Sequence, residues 1–444
     1  MSFKHFNTLN LKENSGVTMK RTINALLVVV SVFILSACGG ARENGDLTGV
    51  LDRPQWKGIN PYGMVNIPSG TLTVGIGDQD VMNTFVQRPK DISIQGFYMD
   101  ETEITNNEYR QYTNWVRDSI AHVLLQHFVE DAEQPDHMEH PPIDWDYPIE
   151  WDEEEDAGVL EEMFYEGDDR INGKKQIDTR KLQYTYYWYD WQKAAHNKDP
   201  NTSRSDFIGE KEVAIYPDTL VWVRDFAYSY NEPMARNYFM HPAYDDYPVV
   251  GVDWHMAMAF SHWRTELWNK YNAGQKGVIQ TEDYRLPTEF EWEYAARGGH
   301  DRAPYPWGGY YARNAKGCLL ANFKPGRGNY PEDGGFYTVK ADAYFPNEYG
   351  LFNMSGNVSE WTSSVYDENA YSFVSDLNPS IVSRVPDEAP SIDKRKVTRG
   401  GSWKDVYYFL QTTARDYEYQ DTTKAHIGFR NVLTFMGRSI NDDF

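Results

Sequence analysis

Cysteine is nearly absent: the 444 residues contain two. That excludes a disulfide framework, so packing and hydrogen bonding must hold the fold. Cations are short as well, with 43 Lys and Arg against 66 Asp and Glu and a formal net charge of -23. This balance argues against nucleic acid and anionic lipid headgroups as partners and leaves basic protein surfaces and cations open. No apolar run is long enough for a comfortable membrane span, and the strongest, Ile23 to Leu35, falls short. With 41% hydrophobic and 15% aromatic residues, a sizeable core is available to one large domain with insertions or to two domains.

What that apolar run does carry is an export pattern. Lys20 and Arg21 precede it and Leu35-Ser36-Ala37-Cys38 follows it, the arrangement of a lipoprotein cleavage box rather than of a plain secretory signal. Residues 1–37 are therefore expected to be a signal peptide, with Met19 as an alternative start, and Cys38 to carry a lipid. Residues 38–59, small and polar at their beginning, then form a lipidated tether. No aspartate follows Cys38, so outer-membrane placement facing the periplasm is expected. Cys318 is left without an intrachain partner and is expected to be a small buried hydrophobe.

The folded part is expected to span 60–435, with 436–444 as a tail. Tyr62 to Gly70 reads as a short strand closed by Pro68-Ser69-Gly70, and Ile92 to Met99 as a second strand. Thr105 and Glu108 have capping-box spacing, and Tyr109, Tyr112, Val116, Ile120 and Leu124 then recur on one helical face. Between 130 and 240 lies an acidic and aromatic insertion. Its first part, to about 169, is expected to be extended and to bury little of itself, with Trp145 and Trp151 as candidate partner-binding residues of a docking arm. Val213–Tyr216 and Leu220–Val223 read as strands.

Beyond Tyr247 the strings become specific. Pro248-Val249-Val250-Gly251-Val252-Asp253-Trp254, Arg285-Leu286-Pro287-Thr288-Glu289-Phe290-Glu291-Trp292, Gly356-Asn357-Val358-Ser359-Glu360-Trp361, Arg399-Gly400-Gly401-Ser402-Trp403 and Gly428-Phe429-Arg430 occur in this order. Asp253 and Thr288 suit helix N-caps, and the paired glycines at 298–299 and 400–401 suit a helix end and a close backbone approach. Together these strings resemble the formylglycine-generating, or sulfatase-modifying, family. The resemblance implies an α+β fold related to C-type lectins, with much irregular structure and a long insertion.

It also frames the chemistry. Enzymes of that family hold copper with two cysteines between the Gly-Gly-Ser-aromatic motif and Gly-Phe-Arg. Here that interval is Lys404 to Ile427 and it contains no cysteine, with Tyr407, Tyr408 and Thr412 in the region. Copper(I) selects thiolates, so no catalytic residue is assigned. The eleven histidines give no iron triad, and His137-Met138-Glu139-His140 sits in the acidic stretch. No cofactor is required. The resemblance implies structural Ca2+ at Asn357, the Val358 carbonyl and Glu360, with Asn322 and Asp333 as a second site, although Asn357 and Glu360 equally suit a hydrogen-bonded turn.

A lipid anchor on a cysteine-less member of this fold resembles a branch found in the type IX secretion and gliding machinery. That resemblance implies a non-catalytic structural lipoprotein that self-associates in a periplasmic ring with a GldN/PorN-type partner, near GldL/GldM-type inner-membrane proteins. Two alternatives stand beside it. One is a surface lectin-like or peptide-binding module with Trp403, Tyr407 and Tyr408 lining a groove, and the other a cysteine-oxidising enzyme with an unfamiliar site.

Overall fold

Local chemistry places the first long helix. Thr105 accepts from the Glu108 amide while the Glu108 carboxylate receives the Thr105 amide at 2.8 Å, so both orphan donors of the first turn are used. The computed structural model describes residues 60–75, 88–130, 140–151, 154–227, 234–273, 281–326, 331–332 and 335–437. The signal, the Cys38 tether, His137-Met138-Glu139 and Asp333 lie outside the described residues. The described residues belong to one compact unit.

The strands are β1 (Met64–Ile67), β2 (Gly70–Val74), β3 (Lys90–Ile94), β4 (Phe97–Asp100), β5 (Gln183–Tyr189), β6 (Ile208–Ala214), β7 (Ser359–Val365), β8 (Arg395–Arg399), β9 (Asp416–Tyr419), β10 (Ile427–Gly428) and β11 (Val432–Thr434). The helices that matter are α1 (Asn106–Leu124), α2 (Glu154–Leu160), α3 (Trp191–His196), α4 (Val221–Asp225), α5 (Trp254–Ala273) and α6 (Glu289–Ala296). Central β4 pairs antiparallel with both β1 and β11, which joins the two ends of the domain. A second sheet has the order β10-β7-β8-β9, parallel only between β10 and β7. Two hairpins, β2-β3 and β5-β6, complete a mixed helix-and-sheet architecture. Among the described residues no helix is long and apolar enough to cross a membrane.

Two cores organise these pieces. In one, α1 lays Tyr109, Tyr112 and Val116 against Phe260 and Trp263 of α5 and against Phe429. In the other, Ile67, Ile92, Phe97 and Met99 pack on Phe290 and Trp292 of α6. Indole donors tie the first core to β7: Trp254 Nε1 donates to the Thr362 carbonyl at 2.9 Å and Trp361 Nε1 to the Val252 carbonyl at 3.1 Å. The Val-Asp-Trp and Glu-Trp strings therefore clasp one another. Buried indole N–H groups need acceptors, which explains why these motifs pair tryptophan with a nearby free carbonyl.

Several expectations change. The strand read over Ile92–Met99 is two strands in different sheets, because the chain turns at Gly96, where a Cβ would meet the Ile67 carbonyl and the Ser69 amide at 3.3 Å. Leu220–Val223 is not a strand: Asp218 Oδ1 accepts the Leu220 amide at 2.9 Å and opens the turn into α4. The stretch before 169 buries more than its acidity suggests. Leu160, Met163 and Phe164 have i, i+3, i+4 spacing and form a small core with Ala121, Ile149, Trp151 and Ile177. Cys318 is exposed rather than buried, on a turn where Asn314 Oδ1 accepts its amide at 3.1 Å.

Trp145 and Trp151 also turn inward. Trp145 stacks on Trp115 of α1 at 5.3 Å and meets His122 at 5.2 Å, while Trp151 meets Phe164 edge-on at 6.2 Å with Arg117 over its ring. Both fasten their surroundings to α1, Trp145 through Trp115 and Trp151 through Arg117, instead of standing free as a docking arm. The aromatic periodicity of α1 leaves Trp115 beside the helix face, and a facing indole covers it.

Candidate functional site

Three separated motif strings meet at one buried carboxylate. Glu360, on β7, receives Arg430 Nε at 2.8 Å, Arg430 Nη2 at 2.6 Å and Trp292 Nε1 at 2.7 Å. Arg430 and Glu360 have side chains 0% and 1% exposed. The guanidinium also donates to the carbonyls of Asp100 and Phe352, so almost every donor has an acceptor. Burial works against the Arg430 charge, and Glu360, Glu103 and Asp100 outweigh it, holding its pKa above the usual value.

A second carboxylate lies beside the pair. Glu103, fully buried just before α1, accepts from Asn353 Nδ2 at 3.1 Å and from Asn357 Nδ2 at 3.1 Å. Burial, only partly offset by Arg430 and the amides and reinforced by Glu360, pushes its pKa up to about 8. At neutral pH it therefore holds a proton. Asn353 and Asn357 both sit at positive φ, 50° and 61°, where asparagine is among the few tolerated side chains. Gly356 before it has φ 84°, and a Cβ there would lie 2.4 Å from the Asn322 carbonyl, which accepts the Asn357 amide at 2.8 Å. Glu103 and Asn353 were not singled out from the sequence. The available signal was Glu103 itself, the last acid of Asp100-Glu101-Thr102-Glu103, set directly before Ile104 at the entry to a core helix.

The calcium expectation meets this geometry directly. Asn357 Oδ1 takes the Val339 amide at 2.9 Å, its Nδ2 serves Glu103, and both Glu360 oxygens are committed to Arg430 and Trp292. A hard divalent cation needs six to eight oxygens, and a guanidinium in the same carboxylate's shell repels it. These side chains do not fit the ion. The Val358 side chain packs in the cluster of Trp222, Tyr337 and Trp403, and Asn322 Nδ2 donates to the Tyr337 carbonyl at 2.6 Å; neither contact engages the Val358 carbonyl or Asn322 Oδ1, the oxygens the resemblance assigns to an ion. Among the described residues no group of three or more His, Cys, Asp or Glu is arranged to hold a metal.

The interval 404–427 is equally filled. Thr412 donates to the Ala303 carbonyl at 2.9 Å and its amide to Pro304 at 2.8 Å, and Tyr407 stacks on Tyr305 at 4.5 Å. Trp403, expected to line a groove, is buried between Trp222, Phe226 and Tyr337. Between Gly400-Gly401 and Phe409, Ala414 and Asp416 there remains about 10 Å³, room for one water. A wider cleft of about 480 Å³ lies among Tyr165, Arg180, Tyr216, Leu220 and Met240, where Arg180 is paired with Asp178 and Asp169.

The clasped tryptophans, the Glu360–Arg430 centre and the order of the strings define a sulfatase-modifying-factor type of domain. The chain belongs to this family: residues 53–435 match the Sulfatase-modifying factor enzyme 1-like domain. It is similar to the Formylglycine-generating enzyme of Bos taurus, 27% identical over 376 residues, covering 83% of this chain and 74% of that one. It is also similar to the Inactive C-alpha-formylglycine-generating enzyme 2 of Bos taurus, 32% identical over 213 residues, covering 45% and 56%. Among solved structures, PvdO from Pseudomonas aeruginosa matches with a TM-score of 0.45 and 16% identity over 84% of this chain and 94% of that one.

Proposed function

We propose that this protein is a non-catalytic, structural member of its family, anchored at the outer membrane by lipid on Cys38 and facing the periplasm. The observation that carries the reading is the absence of cysteine from 404–427 together with what occupies the interval: a hydrogen-bonded Thr412, a stacked Tyr407 and space for one water. A two-thiolate copper site has no ligands there, and the exposed Cys318 is the one thiol among the described residues. Relatives bearing the word inactive in their names are consistent with a family that keeps the fold after losing the reaction. The buried polar centre is compensated by its own side chains, Glu360 with Arg430 and Trp292, which supports this reading.

The role we assign is that of the GldK/PorK lipoproteins, or of the related GldJ. The GldK/PorK role is a periplasmic ring built with a GldN/PorN-type partner beside GldL/GldM-type inner-membrane proteins, for type IX secretion and gliding, and GldJ is the relative most readily confused with it. The support is the lipoprotein cleavage box, the acidic surface suited to basic proteins, and the motif strings around Asn60–Val65 and Met99–Arg110. A membrane anchor raises the effective concentration for weak lateral contacts. Purification from detergent-solubilised outer membranes tests this reading. Large rings holding an equimolar second protein are the expected result, and a persistent monomer in mild detergents refutes it.

A further inference from the structure

We propose that the cleft of about 480 Å³ between Tyr165, Arg180, Tyr216 and Met240 is a binding site for a neutral acetamido sugar. All of its lining residues come from the 130–240 insertion and none from the Glu360–Arg430 centre. The inference goes beyond the scaffold reading and does not rest on it.

The walls are fixed before any ligand arrives. The Asp218 amide donates to the Gly251 carbonyl at 2.8 Å, and a Cβ on Gly251, at φ 75°, would lie 2.4 Å from the Asp218 carbonyl oxygen. Asp218 also accepts the Leu220 amide at 2.9 Å and pairs with Arg224 at 2.8 Å, so the 216–220 wall is held at both ends. The Tyr216 ring meets buried Phe239 edge-on at 5.4 Å. The segment carrying Tyr165 and Arg180 is tied likewise. Tyr165 Oη and Thr179 Oγ1 lie 3.2 Å apart, and the Arg180 guanidinium sits over the Tyr165 ring at 5.3 Å. A preshaped cleft pays little ordering entropy when it binds. Its volume falls within the roughly 300–1,000 Å³ of small-molecule sites.

Two polar groups are left over in it. Arg180 donates through Nε to Asp178 at 2.9 Å and through Nη2 to Asp178 at 2.8 Å and Asp169 at 3.1 Å, while its Nη1 has no partner among the described residues. The hydroxyl of half-buried Tyr216 has none there either. Beside these donors the lining is apolar, with Leu220 59% and Met240 58% exposed. Donors set among aromatic and aliphatic groups suit a ring with hydroxyls on its edge and C–H groups on its face. An acetamido group adds an acceptor carbonyl for Arg180 Nη1 and a methyl for Leu220 or Met240.

Charge and backbone narrow the class of ligand. Arg180 is paired with Asp178 and Asp169, and Asp218 with Arg224, so neither an anion nor a cation finds an uncommitted counter-charge in the cleft. A peptide strand would need a run of free main-chain donors. The amides of Ile215, Asp218 and Leu220 are already engaged, and Pro217 has none, so the wall offers no such run.

The test titrates chitotetraose, a neutral oligomer of N-acetylglucosamine, into the full chain in detergent micelles, by calorimetry and by saturation-transfer NMR. The expected result is a Kd of roughly 0.1–1 mM, with the strongest saturation on the acetamide methyl protons. Y216F keeps the ring against Phe239 and removes only the hydroxyl, and should weaken binding about fivefold. R180K keeps a cation for Asp178 but loses Nη1, and should weaken it about tenfold. Both variants should hold the wild-type thermal midpoint, and Y311F, at an exposed position outside the cleft, should bind as wild type does. Absence of binding at concentrations about tenfold above that Kd overturns the proposal. So do equal binding of maltotetraose, which lacks the acetamido group, an affinity indifferent to Y216F and R180K, and capture of an apolar peptide in place of the sugar. Ring formation with an equimolar partner is expected whether or not the sugar binds, so the two readings fail separately.

Discussion

Replacing Glu103 by glutamine should flatten the dependence of stability on pH. The carboxyl is buried beside Glu360, and its pKa is pushed up to about 8 from an ordinary 4.5. Between those values the folded chain holds one proton that the unfolded chain has released, so the group's stabilising contribution is complete below about pH 4.5 and is lost as pH rises through 8. The slope is roughly 1.4 kcal/mol per pH unit, and across the window the loss is on the order of 4 kcal/mol. Glutamine keeps an acceptor for the amides of Asn353 and Asn357 and titrates nothing. Urea denaturation of wild-type and E103Q protein at pH 5, 6, 7 and 8 isolates the effect. Other shifted groups, including Asp253, raised by burial to about 6, cancel in the difference. Near pH 5 the two proteins should be close in stability, and by pH 8 the variant should lead by several kcal/mol. Parallel profiles over this range would refute a proton held on Glu103.

Arg430→Met should cost about 3–5 kcal/mol, because Glu360 is left charged and buried, while R430M/E360M should recover much of it; denaturant midpoints decide this. Millimolar EDTA or CaCl2 should leave the thermal midpoint unchanged, and a rise with calcium would show that the Asn357–Glu360 region rearranges to take the ion. Trp145→Ala should remove the stack on Trp115 and speed hydrogen exchange over 140–151, with partner co-purification unaffected.

Much of this protein could be read from its residues in order. Both capping boxes form where their Thr-x-x-Glu spacing puts them, at Thr105 and Thr288, because the signal is complete within four residues. The family strings were legible from residue type and order, and their caps act within a few residues, whereas the indoles of Trp254 and Trp361 bond to carbonyls 108 and 109 residues away. The absence of cysteine from 404–427 is likewise a fact of composition. Tertiary structure decided what long-range contact controls. It broke Ile92–Met99 at Gly96, where another strand's backbone passes, and turned Trp145 and Trp151 onto α1. It also filled Glu360 with Arg430, 70 residues away, so that a residue suited to calcium became half of a buried ion pair. Residue type and spacing report which partners a side chain accepts, but only the folded chain determines which partner arrives, since burial makes an unpaired charge too costly to leave.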